Sequence, residues 1–169
     1  MTSETSSTVS VIDTETNSLV KTFLVGARPR ESAFSPDGSR AYVTAENGCT
    51  VSVVDTKDHV VIDTIQLPRG GGALALKPKG VVVSGDGQRV YVATGRGNSV
   101  AVLDAASRQV LTIIPVGQRP WGIAITPDGK KIYTANGLSN DVSVIDTATN
   151  KVVATIKAGD GPWGVALKP

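Results

Sequence analysis

The sequence predicts an all-β fold made of repeated four-stranded antiparallel units, and three observations support this. The phrase VSVIDT at 9–14 returns at 142–147, with variants at 51–56 and 100–105. The aspartates of these phrases are spaced 42, 49 and 42 residues apart, at Asp13, Asp55, Asp104 and Asp146. Runs rich in Val, Ile, Thr and Tyr alternate with Gly, Pro, Asn and Asp. A period of about 40 residues with four strands per repeat is typical of a β-propeller blade.

The third repeat shows the four predicted strands most clearly. In order they are WGIAIT (121–126), KIYTAN (131–136), VSVIDT (142–147) and KVVATIK (151–157). Pro127-Asp128-Gly129 separates the first two and predicts a tight hairpin turn with Gly in the left-handed conformation. Apolar residues fall on both faces of these strands, as a blade between two neighbours requires, and no window has helical spacing.

We predict one propeller, or partial propeller, over residues 1–169. The repeats span approximately 1–29, 30–78, 79–120 and 121–162, and 163–169 starts the next one. This gives three complete blades and one split between the termini. If the ends joined, they would form one blade, and a closed four-blade ring would need tight curvature. If they stayed apart, they would expose apolar faces. The chain would then self-associate, for example as two chains in an eight-blade ring, or form part of a larger ring.

The repeats resemble those of a known family. Tyr42-Val43-Thr44-Ala45, Tyr91-Val92-Ala93-Thr94 and Tyr133-Thr134-Ala135-Asn136 are similar to the signature of the YVTN β-propeller repeat. The resemblance implies a ring of about seven blades and a binding or scaffold role in a periplasmic or cell-surface protein. The segment VGQRPWGIAITPDGKKIYTANG is most similar to the subgroup associated with pyrroloquinoline-quinone (PQQ) dependent alcohol oxidation. We find no signal peptide within the sequence.

Composition excludes several classes of function. The chain is 40% hydrophobic and 19% charged with a net charge of +2, which disfavours a disordered chain or a nucleic-acid-binding arm. No apolar run is long enough to span a membrane. One cysteine, Cys49, and one histidine, His59, cannot form a cluster of His and Cys metal ligands. His59 falls in a hairpin at the edge opposite the proline-containing connections, which disfavours a catalytic arrangement with a nucleophile in a pocket. We therefore expect no metal, no cofactor and no catalytic residue.

The clearest candidate site lies where each repeat leads into the next. These connections share the pattern x-Pro-x-x, and the proline begins the innermost predicted strand. Their flanking residues would surround one mouth of the central channel. The candidate ligand-binding residues are Arg28, Arg30, Lys77, Lys79, Arg119, Trp121 and Trp163. Together with Arg69, the connections contain six cationic residues and only two anionic ones, Glu31 and Asp160, which predicts a basic rim.

This rim suits an anionic, planar or aromatic ligand, because Arg binds carboxylate or phosphate and Trp offers a stacking surface. The same residues also have a purely structural interpretation, in which Trp closes the channel and Arg solvates the loops. The second repeat carries seven extra residues within Leu67–Leu76, which predicts a loop on the same rim.

Three functions remain open from the sequence. The first is a non-catalytic binding or scaffold module that binds a small molecule or a protein partner at the channel mouth and is accessory to quinoprotein metabolism. The second is a propeller enzyme of the lactonase or lyase type. The third is nucleic-acid binding through the basic rim, which the net charge of +2 disfavours.

Overall fold

The computed structural model describes residues 1–68 and 76–168, which form fifteen β-strands in four antiparallel sheets. We call the sheets blades 1 to 4. Blade 1 contains β1 (Thr2–Ser3), β2 (Thr8–Asp13) and β3 (Ser18–Leu24). Blade 2 contains β4 (Pro29–Phe34), β5 (Arg40–Ala45), β6 (Thr50–Asp55) and β7 (Val60–Gln66). Blade 3 contains β8 (Val81–Val83), β9 (Arg89–Ala93), β10 (Ser99–Asp104) and β11 (Val110–Pro115), with a 3₁₀ turn at Gly95–Gly97. Blade 4 contains β12 (Pro120–Ile125), β13 (Lys131–Asn136), β14 (Asp141–Asp146) and β15 (Lys151–Lys157).

Consecutive strands pair within each sheet, so blades 2, 3 and 4 are four-stranded antiparallel meanders. This confirms the predicted all-β propeller with four-stranded blades. The first strands of these blades, β4, β8 and β12, lie side by side at the inner edge. The channel mouth is therefore formed by the segments that lead into these strands.

The two ends of the chain do not share a sheet. Blade 1 has three strands, and its innermost strand, β1, contains two residues. The described C-terminal segment 162–168 packs beside blade 4, because a Cβ placed on Gly122 would lie 2.6 Å from the Gly164 Cα. Among the described residues, the two ends therefore do not combine into one sheet. Leu19 and Leu24 of blade 1 and Val153 and Ile156 of blade 4 are exposed.

The turns form as the sequence predicted. Gly38, Gly87 and Gly129 have φ of +71°, +72° and +71°, the left-handed region that glycine adopts without strain. The aspartate before each glycine accepts hydrogen bonds inside the turn; for example, Asp37 accepts from the hydroxyls of Ser35 and Ser39. The aspartates that end the third strands cap the following hairpins in the same way.

Apolar seams hold neighbouring blades together. The seam between blades 2 and 3 is formed around Tyr42, Val53, Val90 and Leu103, and the seam between blades 3 and 4 around Tyr91 and Ile132. A smaller seam of Ala41, Val43 and Val54, with Val9 and Phe23 packed against it, joins blade 1 to blade 2. Among the described residues, no such seam joins blade 1 to blade 4.

The inserted loop predicted within Leu67–Leu76 lies mostly outside the described residues, which omit 69–75. Leu67 and Leu76 on either side of it are buried in the seam between blades 2 and 3. No helix in the described part of the chain is long and apolar enough to cross a membrane.

Candidate functional site at the channel mouth

Four equivalent residues meet at the channel mouth. Each directly follows the proline of the repeated x-Pro-x-x pattern, and the four are Arg30, Lys79, Trp121 and Trp163. Together with Glu31 and Gly80 they line a cavity of about 260 Å³. The structure therefore brings four of the seven candidate residues into one cavity.

Local backbone geometry directs these side chains to the mouth. Arg28 and Arg119, which precede the prolines, both have φ of +59°. The pairing of β4 with β5 is irregular between Pro29 and Ser32, and that of β12 with β13 is irregular between Pro120 and Ile123. Irregular pairing of this kind redirects the side chain within it. Here the redirected residues are Arg30 and Trp121.

One half of the mouth is an ion-pair network across three blades. The Lys79 Nζ lies 3.2 Å from the Glu46 carboxylate, and the Nε atoms of Arg28 and Arg30 lie 3.5 and 3.7 Å from it. Glu4 of blade 1 pairs with Arg28 at 3.0 Å and also with Arg30. Burial lowers the pKa of Lys79, and the adjacent Glu46 opposes this effect.

This network corrects the predicted charge of the rim. Among the connections between repeats, only Glu31 and Asp160 oppose the basic residues. Glu4 and Glu46 also lie at the mouth and neutralise two of the three cations formed by Arg28, Arg30 and Lys79. The rim is therefore less basic than predicted, because loop carboxylates distant in sequence fold onto it.

The other half of the mouth is aromatic. The ring centroids of Trp121 and Trp163 are 4.2 Å apart with the planes tilted by 44°. The guanidinium carbon of Arg119 lies 5.4 Å from the Trp121 ring centroid, within cation–π range. A Cβ on Gly137 would lie 2.5 Å from the Trp121 ring, so only glycine leaves room for this ring. Trp163 is 62% exposed and offers a surface for a ligand.

One position of the repeat holds a different residue type in each half of the mouth. Glu4, Glu46, Gly95 and Gly137 occupy equivalent places after the second strands of blades 1 to 4. Glutamate pairs with the cations of the first half, whereas glycine admits the Trp121 ring in the second half. This position is not among the predicted site residues, although the change from glutamate to glycine between repeats is visible in the sequence.

Glu31 is a third carboxylate at the mouth, and it is not among the predicted site residues. It stands where the other repeats have Gly80, Gly122 and Gly164. Burial against the cavity wall raises the pKa of Glu31 above its ordinary value, and the Val81 backbone N–H opposes this effect. A Cβ on Gly80 would lie 3.2 Å from the Glu31 Oε2, which places the carboxylate over the inner strand of blade 3.

The remaining candidates, Arg28, Lys77 and Arg119, do not line the cavity. Arg28 is held in the ion-pair network and Arg119 against Trp121. Lys77 is partly buried and does not line the cavity. The Nε1 of Trp121 and the Nε of Arg119 are buried without a hydrogen-bond partner. The described residues contain no cluster of three or more potential metal ligands.

A larger groove of about 620 Å³ lies between blades 3 and 4 at the turn end of the blades. Its lining includes Asp86, Arg89 and Asp128. These groups already bind within the fold, since Asp86 and Asp128 accept turn hydrogen bonds and Arg89 pairs with Asp104 at 2.6 Å. A similar groove recurs between blades 2 and 3, as expected of a repeated structural feature.

The blades, their seams and the mouth define a β-propeller. Residues 9–167 match the family model described as Lactonase, 7-bladed beta-propeller, and the chain belongs to this family. A comparison with curated proteins found no match.

Solved structures with the same fold come from varied proteins. Kuenenia stuttgartiensis hydrazine synthase is 31% identical with a TM-score of 0.73, over 80% of this chain and 38% of that chain. A functionally unknown protein from Desulfotomaculum acetoxidans DSM 771 is 18% identical with a TM-score of 0.83, over 99% and 55%. A chain of a mitotic checkpoint complex is 20% identical with a TM-score of 0.76, over 90% and 45%. The chain thus spans about two-fifths to just over half of the length of these proteins.

Proposed function

We propose that this chain is a binding module whose ligand occupies the channel mouth. The observation that carries the proposal is the cavity of about 260 Å³ that Arg30, Lys79, Trp121 and Trp163 line from equivalent repeat positions. Positions that packing alone dictates would be the same in every repeat, whereas these differ. The ligand is a small organic molecule with a planar face and at least one acidic group.

The two halves of the mouth support this ligand class. The exposed ring of Trp163 stacks on the planar face. Arg30 and Lys79 bind the acidic group, and a single negative charge suffices because Glu4 and Glu46 already neutralise most of the positive charge. Glu31 accepts a hydrogen bond from a hydroxyl or amine of the ligand.

A more specific proposal rests on the amino-acid sequence of the repeats. We propose an exported or surface protein of the YVTN type that is accessory to quinoprotein metabolism, with PQQ as the first ligand to test. PQQ is planar and carries several carboxylates, so it fits the aromatic half better than the weakly basic half. A simpler aromatic carboxylate such as benzoate is the second probe.

The experiment uses the two tryptophans as reporters. Both Trp residues of the chain lie at the mouth, so benzoate binding there changes the intrinsic fluorescence directly. For PQQ, calorimetry replaces fluorescence because the quinone absorbs light. Arg30→Ala and Trp163→Ala should each weaken binding about tenfold or more. The exposed Lys151→Ala is the matched control and should leave affinity unchanged. Equal affinity in all four proteins would refute a mouth site.

Lactone hydrolysis is a second candidate, favoured by the family match and by Glu31. In this reaction Glu31 accepts a proton from water, the water oxygen attacks the lactone carbonyl, and Arg30 and Lys79 stabilise the carbonyl oxygen. The ring C–O bond breaks, the ring oxygen takes the proton from Glu31 and becomes a hydroxyl, and the new carboxylic acid releases its proton to solvent as a carboxylate.

A pH-stat assay with gluconolactone separates this candidate from pure binding. Acid release above the uncatalysed rate that is lost in Glu31→Gln would make the chain an enzyme. Acid release equal to that of buffer, together with benzoate or PQQ binding, supports the non-catalytic module.

A further inference from the structure

Lys79 carries a buried amine that lines the cavity at the channel mouth. The residue is 9% exposed, and it is the one buried lysine in residues 1–68 and 76–168. Lysine is rarely buried to this extent unless it is paired, and here the Glu46 carboxylate lies 3.2 Å from its Nζ. The side chain nevertheless lines the cavity of about 260 Å³ together with Arg30 and Trp121. A ligand in this cavity therefore meets a desolvated amine.

Contacts from two blades hold Lys79 in place. Its backbone N–H donates to the Ala93 carbonyl oxygen at 2.8 Å, and its own carbonyl oxygen accepts from the Thr44 hydroxyl at 2.5 Å. A Cβ placed on Gly95 would lie 3.4 Å from the Lys79 Cε, so the side chain lies directly against this glycine. The amine is thus positioned before any ligand binds.

The charges around Lys79 do not balance. Among the described residues, the ion-pair network contains the cations Arg28, Arg30 and Lys79 but only the carboxylates Glu4 and Glu46. The guanidinium groups stay protonated in proteins, so Lys79 is the cation of this network that can lose a proton. Loss of that proton leaves the network neutral.

The surroundings of Lys79 favour this loss. Burial lowers the pKa of Lys79, Glu46 opposes this effect, and the charges of Arg30 and Arg28 lower the pKa further. Glu31 lines the same cavity, but it is not among the carboxylates that lie within 4 Å of the described cations. A lysine that is desolvated and placed beside other cations is the kind that acts as a nucleophile towards carbonyl groups.

We propose that Lys79 condenses with the carbonyl group of an aromatic 2-oxo acid whose carboxylate binds Arg30, and so forms a reversible imine. This inference rests on the proposed function, because the 2-oxo acid is the planar acid of that proposal. The Nζ of Lys79 and the Nε of Arg30 lie 3.2 and 3.7 Å from the same Glu46 oxygen. A carbonyl directly adjacent to a carboxylate can therefore reach both groups, while the aromatic ring lies on the tryptophan half of the mouth.

The condensation needs no partner beyond the ligand and water. The neutral amine forms a C–N bond with the carbonyl carbon as the C–O π bond breaks, and the oxygen takes a proton from the nitrogen. The resulting hydroxyl takes a proton from solvent and leaves as water, which gives a protonated imine. The positive charge of this imine replaces that of the ammonium group, so Glu46 keeps a cationic partner.

The test traps the imine with benzoylformate and sodium cyanoborohydride, which adds hydride to the imine carbon and leaves the free ketone unreduced. The trapped chain should gain the mass of one benzoylformic acid less one oxygen atom, and peptide mapping should place the adduct on Lys79. Lys79 should be labelled at least about tenfold faster than the exposed Lys151. Benzoate, which has no ketone, should slow the labelling by competition. Equal labelling of Lys79 and Lys151 overturns the proposal.

Two variants and one binding measurement complete the test. Lys79→Arg keeps the positive charge but removes the amine, so it should abolish the adduct, whereas Lys77→Arg, outside the cavity lining, should leave it unchanged. Mapping of the wild type locates the adduct even if Lys79→Arg does not fold. Benzoate binding by the wild type without an adduct on Lys79 would refute the imine and leave the binding module standing. Absence of both would refute the proposed function as well.

Discussion

The ammonium group of Lys79 and the carboxylate of Glu46 lie 3.2 Å apart, and their side chains are only 10% and 8% exposed. They belong to adjacent blades, so this pair joins blades 2 and 3 at the channel mouth. Removing one partner of a buried pair leaves an uncompensated charge. We expect Glu46→Gln to lower the free energy of unfolding by about 2–3 kcal/mol in urea titrations.

Two further variants test the cause of this loss. Lys79→Met in the Glu46→Gln background should restore part of the stability, because it removes the unpaired ammonium. Glu15→Gln changes an exposed turn carboxylate and should alter stability by less than about 0.5 kcal/mol. A Glu46→Gln protein as stable as the wild type would contradict the structural role of the pair.

Gly137 should be intolerant of any side chain. A Cβ there would lie 2.5 Å from the Trp121 ring, so Gly137→Ala must displace the ring. We expect a loss of about 1–3 kcal/mol and a shifted tryptophan emission spectrum. Gly159→Ala is the control, since a Cβ there would meet nothing within 4 Å. Identical emission spectra of Gly137→Ala and the wild type would show that the ring packs elsewhere.

Ligand affinity at the mouth should depend on pH through Glu31. Burial raises its pKa above the ordinary 4.5, so it binds a proton at a higher pH than a free glutamate. Above this pKa the carboxylate repels an anion, and below it the neutral group does not. The affinity for benzenesulfonate, which stays anionic throughout, should therefore rise several-fold as pH falls through the Glu31 pKa. Calorimetry from pH 8 to pH 4 measures this change, and Glu31→Gln should remove it.

The turn aspartates should make the fold sensitive to acid. Hydrogen bonds from Ser35 and Ser39 lower the pKa of Asp37 from 3.8 to about 2. The unfolded chain therefore binds the proton first, so the stability from this group is present above pH 3.8 and is lost as pH falls towards 2. Hydrogen bonds within its turn also lower the pKa of Asp104. The melting temperature should fall mainly below pH 4.

Asp37→Asn provides the comparison for this pH series. It should melt at a lower temperature than the wild type at pH 6, with a smaller further decrease on acidification. A wild-type melting temperature that is constant between pH 4 and pH 2 would mean that the turns contribute no pH-dependent stability.

Much of the fold was predictable because its determinants are local. The Asp-Gly turns and the strand alternation depend on residues within a few positions of each other, and Gly38 and Asp37 behave as the sequence indicated. The assignment of strands to blades was predictable from the repeats, since a period of 42 residues shows which strands are equivalent. The convergence of Arg30, Lys79, Trp121 and Trp163 was predictable for the same reason.

The electrostatics of the mouth were not predictable by counting charges in the connections. Glu46 lies 33 residues from Lys79, and Glu4 lies 24 from Arg28; both pairs form only when blades pack side by side. Comparing repeats would have found them, because glutamate stands there in two blades and glycine in the other two. The steric dependence of Trp121 on Gly137 likewise appears only in three dimensions.

The seams between blades differ in size, and this affects how the chain comes apart. Within residues 1–68 and 76–168, eleven buried residues form the seam between blades 2 and 3, eight form the seam between blades 3 and 4, and three form the seam between blades 1 and 2. In a repeat array, stability is a sum of unit and nearest-neighbour terms. Blade 1 is therefore bound by the weakest coupling and opens first, while blades 2 and 3 form the most cooperative unit. Unfolding then proceeds in stages from the amino-terminal blade inwards.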